Sequence, residues 1–189
     1  MKIGIYGGTF DPVHIGHLLL ARDAVESLGL DVLIFSPNRV SPHKLAVEPA
    51  PGEARLAMLR AAIEGEPRFR VDGWELGREA PSFSVELAEH VAATAGGGAT
   101  LYFLVGADNL AQLETWHRHG DLARLVRFVV LGRNADTPPH PFPEIARRID
   151  VSSTEIRARI REGKSARHLV PDNVLDIMKS KQLYEGNYR

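Results

Sequence analysis

Residues 1–25 read MKIGIYGGTFDPVHIGHLLLARDAV, and their order decides the fold. Ile3, Ile5 and Tyr6 make a short strand pattern that Gly7 and Gly8 end. Glycine there permits positive φ and lets a ligand approach the backbone closely. Asp11-Pro12 then sets up a helix. Leu18, Ala21, Val25 and Leu28 fall on one of its faces, and Gly29 is placed to end it. His14 and His17 sit at its start, about one turn apart on one side. A helix N-terminus offers unpaired N–H groups and a positive dipole end, which suits phosphate. Imidazole nitrogens beside it can donate to phosphoryl oxygens as negative charge builds. The plainer readings are a solvated first turn or a metal-binding pair, but no third ligand of suitable spacing accompanies the histidines for zinc.

Short apolar runs continue to alternate with helical periodicity along the chain. The pattern predicts strands at Lys2–Tyr6, Asp31–Ser36, Phe69–Asp72, Thr100–Val105, Arg127–Leu131 and Ile149–Val151. Leu56, Leu59 and Ile63 mark the apolar face of a second helix, before Gly65. Phe83–Ala95 and Leu110–Leu125 give two more. Thr154–Glu162 follows Ser152 and Ser153, which can cap it, and Pro171–Lys181 gives the last helix. This βαβα order implies an α/β fold, doubly wound, with a mainly parallel sheet and helices on both faces. The apolar runs FLV and FVVL fit strands buried on both sides. In such open sheets ligands bind beyond the carboxyl ends of the strands, and the candidate residues fall in those loops.

At 189 residues a single domain spanning 1–189 is expected. A net charge of −1 supplies no global attraction to nucleic acid or an anionic membrane. Cysteine is absent, which removes disulfides and thiolate metal sites and fits a reducing, cytoplasmic compartment. The N-terminus has no signal-peptide pattern, and no run approaches the roughly 18 apolar residues of a membrane span. Pro37–Gly52 and Thr137–Pro143 hold four prolines each and read as loops, either ordinary connections or substrate lids.

Four further stretches carry candidate chemistry. Ser41–Lys44, SPHK, offers His43 and Lys44 to phosphate oxygens in the loop after the second strand. Pro81–Glu86, PSFSVE, places Phe83 and Ser84 at a helix start that Ser82 or Ser84 can cap. In Leu104–Arg118, LVGADNLAQLETWHR, Gly106 ends a buried strand. Asp108 there can hold ribose hydroxyls or cap the next helix, and Trp116 is either core or a flat face for a ring. Val151–Ile160, VSSTEIRARI, brings Ser153, Thr154 and Arg157 to another helix start, where arginine offers a planar fork to phosphate. Gly163-Lys164-Ser165 is no P-loop, because it follows a helix and lacks the earlier glycine.

Together these five stretches identify a resemblance that runs nearly the full chain. GGTFDPVHIGH resembles the signature of the nucleotidyltransferase superfamily that shares the H-x-G-H motif, and VSSTEIR resembles its I-S-S-T-x-I-R motif. Within it the chain is most similar to the bacterial nicotinate-nucleotide adenylyltransferases. The resemblance implies a Rossmann-like sheet and adenylyl transfer from ATP to nicotinate mononucleotide, with release of pyrophosphate. It implies catalytic roles for His14, His17 and Arg157. ATP contacts are implied for Gly7, Gly8, Thr9, Phe10, His14, His17, Gly106, Asp108, Ser153, Thr154 and Arg157. Contacts to the acceptor are implied for His43, Lys44, Phe83, Ser84 and Trp116. Phe83 and Ser84 stand where the family has tyrosine and threonine, which preserves backbone recognition of a carboxylate but loses a phenol hydroxyl. Mg²⁺ is expected on the ATP phosphates rather than in a protein cage. Nicotinamide mononucleotide, phosphopantetheine or a sugar phosphate is the alternative acceptor, and a non-catalytic adenine-nucleotide sensor is the alternative class. Neither nucleic acid nor membrane is an expected partner, and the oligomeric state stays open.

Overall fold

A computed structural model describes residues 1–40, 48–79, 81–132 and 137–186. Six strands form one sheet: β1 (Lys2–Gly8), β2 (Val32–Pro37), β3 (Phe69–Val71), β4 (Thr100–Gly106), β5 (Val126–Gly132) and β6 (Glu144–Ala146). Their spatial order is β3-β2-β1-β4-β5-β6, and every neighbouring pair is parallel. This is the doubly wound, Rossmann-like arrangement. Chain direction across the sheet reverses between β1 and β4, so a crevice opens beyond their carboxyl ends.

Six helices cover the sheet: α1 (Ile15–Leu28), α2 (Gly52–Ala62), α3 (Ser84–Ala95), α4 (His119–Leu125), α5 (Ser153–Arg161) and α6 (Asp172–Ser180). Two apolar clusters lie on its opposite faces. One joins Leu20, Ala24 and Val25 of α1 to Met58 and Leu59 of α2 and Val174 and Leu175 of α6. The other joins Val85, Ala88 and Val91 of α3 and Leu122 of α4 to Ile3, Ile5, Leu101, Phe103 and Phe128. Among the described residues no helix is long and apolar enough to cross a membrane.

The structure corrects the sequence reading in four places. The sixth strand is Glu144–Ala146, not Ile149–Val151. It is an edge strand of three residues with one buried side chain, Ile145, too short to leave an alternating pattern. Ile149 and Val151 instead pack against the α1-side core from a loop. The expected helix Leu110–Leu125 is split into a 3-10 segment, Ala107–Thr115, and α4. Trp116 is extended and Arg118 left-handed (φ 51°), its guanidinium held by Glu89 and Asp121 at 2.7 Å each. The buried face of α2 is Ala54, Arg55, Met58 and Leu59, rotated from the Leu56–Ile63 stripe. Finally, neither Ser82 nor Ser84 caps α3. Its N-cap is Phe83, with no side-chain cap hydrogen bond.

Candidate active site

The β1–α1 connection builds the floor. α1 begins at Ile15, and extended His14 is its N-cap. The His14 backbone N–H donates to Nδ1 of His17 at 3.2 Å. That bond places the His17 proton on Nε2, leaving Nε2–H as its donor. The two rings stack with centroids 3.7 Å apart. Gly16 makes this possible, since a Cβ there would lie 3.0 Å from two atoms of the His14 ring and 3.1 Å from Ile149. Phe10, with φ at 49°, turns its ring under His17 at 5.1 Å, where it also meets Tyr6 and Phe35.

The far end of the chain closes over this floor. Ser152 caps α5 by accepting from the Glu155 N–H at 3.1 Å. Ser153 Oγ donates to the carbonyl of Pro12 at 2.9 Å. Arg157 Nη1 donates to the carbonyl of Asp11 at 2.7 Å, and Nη2 reaches Thr154 Oγ1 at 3.3 Å. A cavity of about 530 Å³ lies between the two ends. Gly7, Gly8, Thr9, Phe10, His14, His17, Gly106, Asp108, Ser153, Thr154 and Arg157 all border it. His14 is almost wholly buried in its wall, and Phe10 contributes as a packing ring more than an open surface.

A second cavity, about 410 Å³, shares Gly7, Gly8, Thr9 and Gly106 with the first. Phe83, Ser84, Trp116 and His117 line it. Trp116 packs edge-on against Phe103 at 6.2 Å and also lines the cavity. Its Nε1 is buried with no hydrogen-bond acceptor among the described residues. A third cavity of about 470 Å³ adjoins the first through Asp108, Leu131 and Ser152. At Gly106 a Cβ would lie 2.4 Å from Asp108 Oδ1, so only glycine lets that carboxylate fold back at the end of β4. His43 and Lys44 lie outside the described residues.

The chain belongs to the cytidylyltransferase-like family. That family's sequence profile matches residues 5–159, which include both histidines and Arg157. Full-length relatives narrow the assignment. A probable nicotinate-nucleotide adenylyltransferase of Geobacillus kaustophilus is 41% identical over 186 residues, covering 97% of this chain and 86% of the relative. The nicotinate-nucleotide adenylyltransferase of Bacillus subtilis is 35% identical over 188 residues, covering 98% and 99%. Among solved structures, Plasmodium falciparum nicotinic acid mononucleotide adenylyltransferase complexed with NaAD shares the fold, with a TM-score of 0.78. That match covers 100% of this chain and 99% of the other, at 18% identity. The same Plasmodium enzyme complexed with APC matches with a TM-score of 0.72. This member of the family is thus a nucleotidyltransferase enzyme, and such enzymes generally use a divalent cation.

Three buried polar residues of this nucleotidyltransferase escaped the sequence reading. Arg55, 2% exposed, donates to the carbonyls of Thr9 and Asn38 at 2.8 Å and of Ala50 at 2.9 Å. Burial lowers its pKa, opposed by the Asp11 carboxylate. Its signal was present: an arginine amid the apolar stripe Ala54, Met58, Leu59. Glu75 borders the second cavity and accepts from Ser36 Oγ at 3.0 Å. Burial pushes its carboxyl up to about 7, against the hydrogen bonds of Ser36 and Ser82 and with repulsion from Asp72 and Glu86. Tyr184, near the end of the chain, donates to Asp11 Oδ1 at 2.7 Å. Nothing in its sequence neighbourhood marks it.

Proposed function

We propose that the protein transfers the adenylyl group of ATP to nicotinate mononucleotide, forming nicotinate adenine dinucleotide and pyrophosphate, a step of NAD biosynthesis. One observation carries this reading: two cavities, one lined by imidazoles and a guanidinium and the other by aromatic rings, share a glycine floor. The triphosphate occupies the first, over the start of α1. Asp108 and the adjoining third cavity receive the adenosine end. The pyridine ring lies against Trp116, and its carboxylate meets the uncapped N-terminus of α3 at Ser84. The acceptor phosphate then reaches the α-phosphorus across Gly7, Gly8 and Thr9.

The acceptor phosphate is largely ionised near neutral pH, with a second pKa of about 6. It needs no general base. It needs alignment and relief of repulsion between anions, and positioning alone supplies effective molarities of order 10⁵ M in favourable cases. The phosphate oxygen attacks the α-phosphorus in line, the α–β bridging bond breaks, and pyrophosphate leaves. His17 donates from Nε2, and His14 packs behind it to fix the ring. Arg157 offsets charge on the triphosphate, and Lys44 takes the same role in the sequence reading. ATP enters as its Mg²⁺ complex. Mg²⁺ would be carried mainly by the ATP phosphates, whose oxygens divalent ions bridge in such transfers. We read residues 1–189 as a single domain working in the cytoplasm, where ATP is held.

Pyrophosphate release with a panel of acceptor phosphates tests the reading. Nicotinate mononucleotide is expected to give the highest kcat/KM; a better rate with phosphopantetheine or a sugar phosphate would reassign the acceptor. Replacing His17 by alanine is expected to lower kcat by about 10²-fold or more, as for an oxyanion donor. Unchanged turnover would remove His17 from the chemistry.

A further inference from the structure

Arg157 reaches the site from α5, but its position is set elsewhere. The Asp11 carbonyl holds Nη1 at 2.7 Å, and Asp11 Oδ2 lies 3.8 Å from the same nitrogen. Asp11 is itself 6% exposed. Its Oδ1 accepts from the Ala50 N–H at 3.2 Å and from the Tyr184 hydroxyl at 2.7 Å. The shorter of these two bonds therefore comes from a residue 173 positions away, beyond the last helix.

The chain adopts an unusual path to deliver that hydroxyl. Gln182 ends α6 in the usual left-handed way (φ 50°), its N–H donating to the Lys179 carbonyl at 3.0 Å and that of Leu183 to Met178 at 2.9 Å, and Tyr184 is then left-handed as well (φ 67°). A bulky residue such as tyrosine with this φ is uncommon, and surrounding contacts must hold it there. Tyr184 and its neighbour Leu183 are both buried in the core cluster that includes Phe10 and Val13. The tyrosine body is thus anchored beside the β1–α1 loop, and its hydroxyl points into the loop's one buried carboxylate. Burial and the neighbouring Asp11 charge both raise the Tyr184 pKa, so it stays a donor at any working pH.

We infer that Tyr184 is a positioning residue for adenylyl transfer: its hydroxyl fixes Asp11, and Asp11 fixes the Arg157 guanidinium over the triphosphate. The inference rests on Arg157 meeting phosphate, as proposed above. A hydroxyl that merely satisfied a buried carboxylate would add stability without coupling to Arg157. The two cases separate in a double-mutant cycle, which isolates the pairwise contribution.

The variants are Tyr184→Phe, Arg157→Ala and the pair, each checked for folding by circular dichroism and a thermal midpoint. Tyr184→Phe preserves the buried ring, so it keeps the fold. It is expected to lower kcat/KM for ATP by about 10-fold, the scale of one hydrogen bond to a charged group, with the KM for the pyridine nucleotide unmoved. In the Arg157→Ala background the same change is expected to cost less than about twofold, a non-additivity typical of residues in one network. Equal losses in both backgrounds, or a lowered midpoint with full activity, would overturn the inference. Full activity of Arg157→Ala alone would instead overturn the phosphate reading of that residue, before Tyr184 is touched.

Discussion

Gly16 separates the stability of α1 from the geometry of its histidines, and Gly16→Ala puts the two in opposition. In a helix the change from glycine to alanine stabilises by roughly 0.5–1 kcal/mol. Here the new methyl would sit 3.0 Å from Cε1 and Nδ1 of His14 and 3.1 Å from Ile149 Cγ2. Those contacts must open by a few tenths of an ångström. Overpacking of this kind costs about 1–3 kcal/mol, so the net effect is between neutral and about 2.5 kcal/mol destabilising, from both terms. The His14 ring is the movable party, and its stack on His17 at 3.7 Å passes the shift to the donor. A misplacement of about 1 Å at a reacting group costs on the order of 10²-fold in rate. A few tenths of an ångström, scaled from that in free energy, costs about 3- to 6-fold. Steady-state pyrophosphate release gives kcat, and urea unfolding gives the midpoint on the same sample. A folded Gly16→Ala enzyme with kcat within twofold of the parent would refute the claim that ring placement at the helix start limits the chemistry.

Replacing Arg55 by leucine leaves the carbonyls of Thr9, Asn38 and Ala50 without their side-chain donor. It is expected to cost about 3 kcal/mol or more, at roughly 1–3 kcal/mol per carbonyl left unpaired, read as a fall in the urea midpoint; a cost below about 1 kcal/mol would show that the loops stand without it. Burial pushes the Glu75 carboxyl from its ordinary value of 4.5 up to about 7 in the folded protein. A raised carboxyl pKa means the folded state binds the proton more tightly. Its contribution is therefore complete below pH 4.5 and is lost as pH rises through about 7. The loss is of order 3 kcal/mol at 1.36 kcal/mol per unit, and Glu75→Gln should flatten the stability profile across that window; an unchanged slope contradicts the assignment. Trp116→Ala is expected to raise the KM for the pyridine nucleotide about 10-fold, with a much smaller change for ATP. Equal changes in both constants would make Trp116 core alone.

The sheet was legible because its central strands carry their own apolar runs, as in Ile3–Tyr6 and Phe128–Leu131, with glycines at their ends. The site was legible for a related reason. Residues 7–17 and 151–157 are each a loop feeding a helix N-terminus, so motif and local geometry coincide. What escaped was set by tertiary contact. β6 follows from pairing with Val130, Leu131 and Gly132, not from the pattern of Glu144–Ala146. Trp116 leaves the helix expected over Leu110–Leu125 because Arg118 turns left-handed to meet Glu89 and Asp121. Ser82 forgoes the cap of α3 because its oxygen accepts the Arg39 N–H at 3.0 Å and it also bonds buried Glu75. Arg55 and Tyr184 act through backbone carbonyls and one carboxylate far away in sequence, which local periodicity cannot register.

The central claim is that an ATP α-phosphoryl and a pyridine nucleotide phosphate meet over the glycines between the two cavities. Phosphorus NMR of the protein with MgATP, run in parallel with nicotinate and nicotinamide mononucleotides, tests it most directly. The account predicts paired growth of a dinucleotide diphosphate signal and free pyrophosphate, faster with nicotinate. ATP consumed to ADP and inorganic phosphate, or no dinucleotide from either acceptor, would contradict it.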